Sequence, residues 1–365
     1  MRLPLAMRAR ALVEQKGARA VLDSPRLRAR FARKRSLPVD GQRLDPQLAA
    51  LLGIDDLLGV SDLSRLVPSK ARARMMGQVL ACEAAPPGGV DTRALSIPCP
   101  AGDRPARLYV PRALTAPSPA ILYLHGGGFV TCDLDTHDVL CRRLALGARA
   151  RVVSLDYRLA PEHPYPAPVE DAVAAFRWLA TKAASFGIDA ARLAVAGDSA
   201  GGNLSANVAR HTRDDARRPA LQVLIYPAVD ARRLQRSHAL FGEGYFLTKT
   251  MLDWYYDHYG LVSRRLEPDF SPLLAEDVSR VAPALVYTAG FDPLRDEGAE
   301  YHERLVSSGV SSRLVCFDSL LHGFACITGV SKACLEATER MAHETGLALR
   351  EGVRDSRIVE VGQGR

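Results

Sequence analysis

No run of about 18 consecutive apolar residues occurs in this chain of 365, so no membrane-spanning helix is expected. No apolar leader is expected either. Arginine breaks Met1-Arg2-Leu3-Pro4-Leu5-Ala6-Met7-Arg8 too early for the apolar region of a secretory signal. Cysteine is sparse and unpatterned. Its seven positions (82, 99, 132, 141, 316, 326 and 334) contain no Cys-x-x-Cys. An odd, irregular set reads as free thiols in a reducing cytoplasm. The nine histidines are scattered, and no His-x-x-x-His pairs with a third ligand, so no metal site is expected. Internal repeats and low-complexity tracts are absent as well. Aromatic residues make up only 6% of the chain.

Charge is present but uneven. The net charge is +7, yet residues 1–43 alone carry +9 and the rest about −2. This is a basic segment on a near-neutral body. A solvated helical face or an arginine-biased composition is the ordinary explanation. Weak association with an anionic membrane surface is the alternative. No nucleic-acid partner is expected.

Residues 1–85 read as helical pieces without strands, among them 48–58, interrupted by Gly53, and 61–80. Ala84-Ala85-Pro86-Pro87-Gly88-Gly89 then breaks the pattern. Beyond it, short apolar runs at 106–110, 120–124, 151–155, 192–196, 221–226, 284–288 and 313–317 read as strands. Helical patterns lie between them, notably at 136–147 and 170–184. Strands alternating with helices predict a mainly parallel sheet covered on both faces, with functional loops at the strand C-termini. Residues 230–265 break the rhythm. They hold no strand but carry seven of the 23 aromatic residues. They read as a helical excursion packed on the N-terminal helices, with a pocket lining as a compatible role.

The organising stretch is Leu193 to Asn203. An apolar run turns on Gly197, Ser199 and Gly201 and continues as a helix. This matches a nucleophile elbow, a strand–turn–helix with serine at its apex. A serine hydroxyl needs a base to take its proton and a third group to orient that base. Asp292 follows the strand at 284–288, and His322 follows the strand at 313–317. Asp296 and Glu297 compete with Asp292, but the first turn of a helix already gives them a structural purpose. The stretch His125-Gly126-Gly127-Gly128-Phe129 offers backbone N–H groups to a developing oxyanion. It lacks the Lys-Ser or Lys-Thr of a Walker loop and the spacing of a dinucleotide loop, so no cofactor is expected. His125 reads as a residue that orders this loop.

Four stretches together resemble the hormone-sensitive lipase family of α/β-hydrolases, in its bacterial esterase branch with Gly-Asp-Ser-Ala-Gly-Gly. They are 125–129, Tyr157 to Ala167, Gly197 to Asn203, and Asp292 to Glu297 with His322-Gly323-Phe324. The resemblance implies an α/β-hydrolase fold with a helical cap. It implies Ser199 as nucleophile, Asp292 as acid and His322 as base, with oxyanion donors on Gly127, Gly128 and Ala200. A direct part for Gly126 stays open. Arg158 and Glu162 are spaced to brace a loop near the site. The expected division is a cap segment with a basic leader at 1–88, a catalytic core at 89–229 and 266–350, a cap insertion at 230–265, and a tail at 351–365. The expected activity is hydrolysis of short- to medium-chain acyl esters, with a small-molecule ester as partner and a homodimer left open. An amidase, lactonase or deacetylase is the alternative, and a non-catalytic receptor on this fold a remote one. Attack on insoluble long-chain fat is not expected, for want of a lid-like apolar segment.

Overall fold

The computed structural model of the protein describes residue 17 and residues 19–59 and 61–353. The start of the basic leader and the tail beyond 353 lie outside the described residues. The core is one eight-stranded sheet in the order β1-β2-β4-β3-β5-β6-β7-β8. The strands are β1 (Val90–Ile97), β2 (Arg104–Pro111), β3 (Ser118–Leu124), β4 (Arg151–Leu155), β5 (Ile188–Asp198), β6 (Leu221–Ile225), β7 (Ala284–Phe291) and β8 (Ser312–Leu321). β2 pairs antiparallel with β1 and β4, and from β4 to β8 every pairing is parallel.

β3, β4, β6 and β7 are buried along their whole length. That is the expected state of parallel strands covered on both faces, and it explains their unbroken apolar composition. Successive side chains still serve opposite faces. On β3, Ile121 and Tyr123 join the core with Leu144 and Met341, while Ala120, Leu122 and Leu124 join the core with Phe176 and Leu204. Leu144 and Met341 lie on α4 (Asp138–Ala148) and α10 (Lys332–Glu351); Phe176 and Leu204 lie on α5 (Ala167–Lys182) and α6 (Ala200–His211). α9 (Arg295–Ser307) completes the second face, through Tyr301 and Leu305.

Several strands differ from the sequence reading, most being longer. β1 was not anticipated: its interior positions are exposed or half-buried, so this edge strand has no apolar run to reveal it. β8 runs to Leu321, so His322 directly follows the strand.

The N-terminal segment before β1 holds α1 (Pro25–Ala32), α2 (Pro46–Leu58) and α3 (Pro68–Cys82). Gly53 does not interrupt α2. A Cβ there would strike the backbone carbonyl of Phe31, so the glycine lets α1 and α2 cross closely. The 230–265 insertion contributes α7 (Arg236–Phe241) and α8 (Lys249–Tyr259). It touches the N-terminal segment, where Arg35 donates to the Gly244 carbonyl at 2.8 Å and Arg236 pairs with Asp40 at 2.7 Å. Its aromatics also pack on the core: Tyr259 stacks on Phe129 at 3.7 Å, and Phe241 meets Phe291 edge-on at 5.4 Å. No helix among the described residues is long and apolar enough to cross a membrane.

Candidate active site

The ends of β3, β5, β7 and β8 meet at one place. β5 ends at Asp198 and α6 begins at Ala200, leaving Ser199 alone at the turn. Its backbone, at φ 54° and ψ −117°, lies where a side chain is strained. Contacts on both sides enforce it. The Ser199 N–H donates to the Ile225 carbonyl at 2.8 Å, and the Ser199 carbonyl accepts from Asn203 N–H at 3.1 Å. Gly201 must lack a side chain, because a Cβ there would meet the Leu124 carbonyl of the neighbouring strand.

His322 Nε2 lies 3.0 Å from Ser199 Oγ, and His322 Nδ1 lies 2.8 Å from Asp292 Oδ2. Asp292 is fully buried. Its other oxygen, Oδ1, accepts from Leu294 N–H at 2.8 Å, which fixes the carboxylate plane. The competing acids are occupied elsewhere. Asp296 accepts from Ser237 N–H at 2.8 Å and pairs with Arg295. Glu297 accepts from Val229 N–H at 2.7 Å and meets His238 Nε2 at 2.9 Å.

The glycine loop follows β3. Gly127 and Gly128 have φ of 103° and 60°. The N–H groups of Gly127, Gly128 and Ala200 donate to no acceptor among the described residues. Gly126 differs: its N–H donates to Asp198 Oδ1 at 2.8 Å and is spent. Tyr255 of α8 lies over Gly128, where a Cβ would collide with its ring. His125 is fully buried and stacks on Tyr157 at 4.3 Å. Burial, reinforced by neighbouring His137, pushes its imidazole down to about 4, so it is neutral near pH 7.

A family model for the α/β-hydrolase fold matches residues 121–326. The chain belongs to this family. The hydrolase is 47% identical over 303 residues to the carboxylic ester hydrolase LipN of Mycobacterium tuberculosis (strain ATCC 25618 / H37Rv), across 80% of this chain and 79% of LipN. Two solved structures are similar as well. Ester-hydrolase EH1AB1 from the Lake Arreo metagenome, solved with a bipyridine phosphonate derivative, superposes with a TM-score of 0.80 at 41% identity, covering 83% of the hydrolase and 98% of EH1AB1. The hyperthermophilic esterase of Pyrobaculum calidifontis gives a TM-score of 0.77 at 37% identity, covering 84% and 99%. The hydrolase is a serine carboxylesterase of the hormone-sensitive-lipase-like group.

Several residues that shape the site escaped the sequence reading. Asp198 was seen only as part of the elbow motif. It is 4% exposed, and its Oδ1 accepts from Tyr123 Oη at 2.6 Å as well as from Gly126, with His137 Nε2 at 3.1 Å. Burial raises its carboxyl, but His137, Tyr123 and His125 outweigh that and hold it below the usual carboxylate range. One buried charge thus tethers the glycine loop to the elbow. Arg72 of α3 donates to the carbonyls of Val130 at 2.8 Å and Ala160 at 2.9 Å, and pairs with Glu162. Arg158 pairs with buried Asp171 at 2.8 Å. Arg158 and Glu162 therefore brace the 157–167 loop through separate partners, one inward and one to the cap. Asp171, on the buried side of α5, is taken up by this inward pair.

Above Ser199 lies a cavity of about 990 Å³, lined by the N-terminal helices, the 230–265 insertion and the loops at the strand ends. Its walls are mostly apolar and include Phe31, Leu52, Val79, Phe246, Met251 and Tyr255. The insertion aromatics thus serve packing and pocket alike. Among the described residues no group of three or more His, Cys, Asp or Glu could hold a metal.

Proposed function

We propose that Ser199, His322 and Asp292 act as nucleophile, base and orienting acid in the hydrolysis of short- to medium-chain acyl esters. The observation that carries this reading is the unbroken line from Ser199 Oγ through both nitrogens of His322 to Asp292. Asp292 accepts from Nδ1–H, which leaves Nε2 bare to take the serine proton. Ser199 Oγ then attacks the ester carbonyl. The oxyanion turns toward the N–H groups of Gly127, Gly128 and Ala200, with the N-terminus of α6 adding its positive dipole end. His322 returns the proton to the departing alcohol, and a water molecule, activated the same way, releases the acid from Ser199. The apolar cavity supports an acyl chain longer than acetate.

We assign residues 1–88 and 230–265 to the cap over a core at 89–229 and 266–350. Both cap segments line the cavity, which supports that division. Seven free cysteines favour a reducing compartment, the cytoplasm. The basic cap segment gives weak attraction to an anionic surface.

The test is Ser199→Ala. Turnover of p-nitrophenyl butyrate should fall by about 10⁴ or more, while thermal unfolding stays as in the wild type. Turnover that survives in this variant would remove Ser199 from the mechanism.

A further inference from the structure

The cavity above Ser199 reaches the surface, and its mouth can be located from residues that both line it and stay exposed. They are Gly17, Leu57, Leu58, Ala73 and Arg74. Leu57 and Leu58 are 74% and 64% exposed. Two neighbouring leucines this open to water at the rim of an apolar cavity form a greasy lip that no described residue covers. Helix α1 continues it. Phe31 lines the cavity, and Leu27, one turn earlier on the same stripe, is 41% exposed.

The rest of α1 and the turn after it are basic. Arg26, Arg30, Arg33 and Lys34 are all exposed. Arg26, Arg30 and Arg33 form no ion pair with any described residue. Asp56, one residue before Leu57, is held by Arg35 at 2.9 Å with Lys34 at 3.4 Å. Exposed leucines line the opening, the exposed arginines sit on the helix whose Phe31 lines the same cavity, and the cavity leads to the serine.

We propose that this α1–α2 face docks on an anionic lipid surface, and that acyl esters enter the cavity from that surface past Leu57 and Leu58. Charge selects the occupant. A second copy of the chain would bring the same exposed arginines against each other, whereas anionic headgroups neutralise them while the leucines enter the acyl boundary. The direction of entry follows from the cavity: an acyl chain leaving the lipid passes the leucine lip and keeps an apolar surrounding as far as Ser199. This inference rests on the ester-hydrolase reading of the same site.

Vesicle sedimentation with the full chain tests it, using phosphatidylcholine alone and phosphatidylcholine mixed with phosphatidylglycerol. The wild type should sediment with the mixed vesicles, lose that binding in high salt, and stay in solution with phosphatidylcholine alone. Arg26→Glu/Arg30→Glu/Arg33→Glu and Leu57→Asn/Leu58→Asn should each partition at least about tenfold more weakly, with thermal unfolding confirming that both fold. Equal retention of the wild type in solution with both vesicles overturns the proposal. So does undiminished binding by the two variants. A dimer in sedimentation velocity that Leu57→Asn/Leu58→Asn dissociates, with no vesicle binding, assigns the face to a second copy and also overturns it. Hydrolysis of water-soluble p-nitrophenyl butyrate is read on the same samples. Hydrolysis without vesicle binding defeats only this proposal; binding without hydrolysis defeats the catalytic reading beneath it.

Discussion

Replacing Asp198 by asparagine isolates the charge that ties the glycine loop to the elbow. The side chain keeps its shape and one carbonyl oxygen, so the change is electrostatic rather than steric. Tyr123 Oη and Gly126 N–H donate to that oxygen, and His137 Nε2 lies beside it. A hydrogen bond to a charged group contributes about 1 kcal/mol more than a neutral one, so loss of the charge should cost about 2 to 3 kcal/mol of stability. The carboxyl is held below its ordinary range in the folded protein. Its contribution is therefore present above the unfolded-state value and is lost only as pH falls through the folded one. At neutral pH the variant should show the whole deficit. Catalysis should suffer too, because Gly126 is the anchor immediately before Gly127. Losing an oxyanion donor outright costs about 10²- to 10³-fold, and a loosened donor costs less, so kcat/KM should fall roughly 10- to 100-fold. Urea unfolding and p-nitrophenyl butyrate kinetics read the two effects separately. A variant within about twofold of the wild type in kcat/KM, at a clear loss of stability, would refute the coupling of Asp198 to the oxyanion loop.

Glu297 sets a pH dependence. Burial pushes its carboxyl up to about 7 from an ordinary 4.5, despite His238 and Val229 N–H. Between those values the folded protein holds a proton that the unfolded chain releases, so stability falls as pH rises, by about 3 kcal/mol in all. Urea midpoints at about pH 5 and about pH 8 should therefore diverge in the wild type more than in Glu297→Gln, and an equal divergence refutes the assignment. Arg72→Ala should cost about 2 kcal/mol by freeing the carbonyls of Val130 and Ala160. Hydrogen exchange should quicken in α3 first, and unchanged exchange there would mean that Arg72 does not staple the cap.

Much of this protein is legible in one dimension because its chemistry lies at strand ends. Ser199, Asp292 and His322 each follow a buried strand of a parallel sheet, and such strands announce themselves as short apolar runs. Loops there converge by construction, so the order of motifs along the chain already implied their meeting. The elbow glycines were readable for the same local reason: a serine at positive φ beside a packed strand tolerates no neighbouring side chain.

Other features depend on partners distant in sequence and left no local trace. β1 is an edge strand whose exposed positions carry no apolar run. Arg158 and Glu162 sit four residues apart, yet one bonds inward to Asp171 and the other to Arg72, 90 residues earlier in the chain. Asp198 looked like a filler position in a five-residue motif until folding placed Tyr123, Gly126 and His137 around it. Leu57 and Leu58 lie at the end of the apolar helical piece at 48–58, and only the packing of α1, α2 and α3 over the cavity left them in water. Local sequence determined the positions proposed as nucleophile, base and acid and the sheet that presents them, because backbone geometry and strand burial act over a few residues. Tertiary structure decided which buried charge holds the oxyanion loop and where the cavity opens, because both depend on which distant surfaces exclude water from each other.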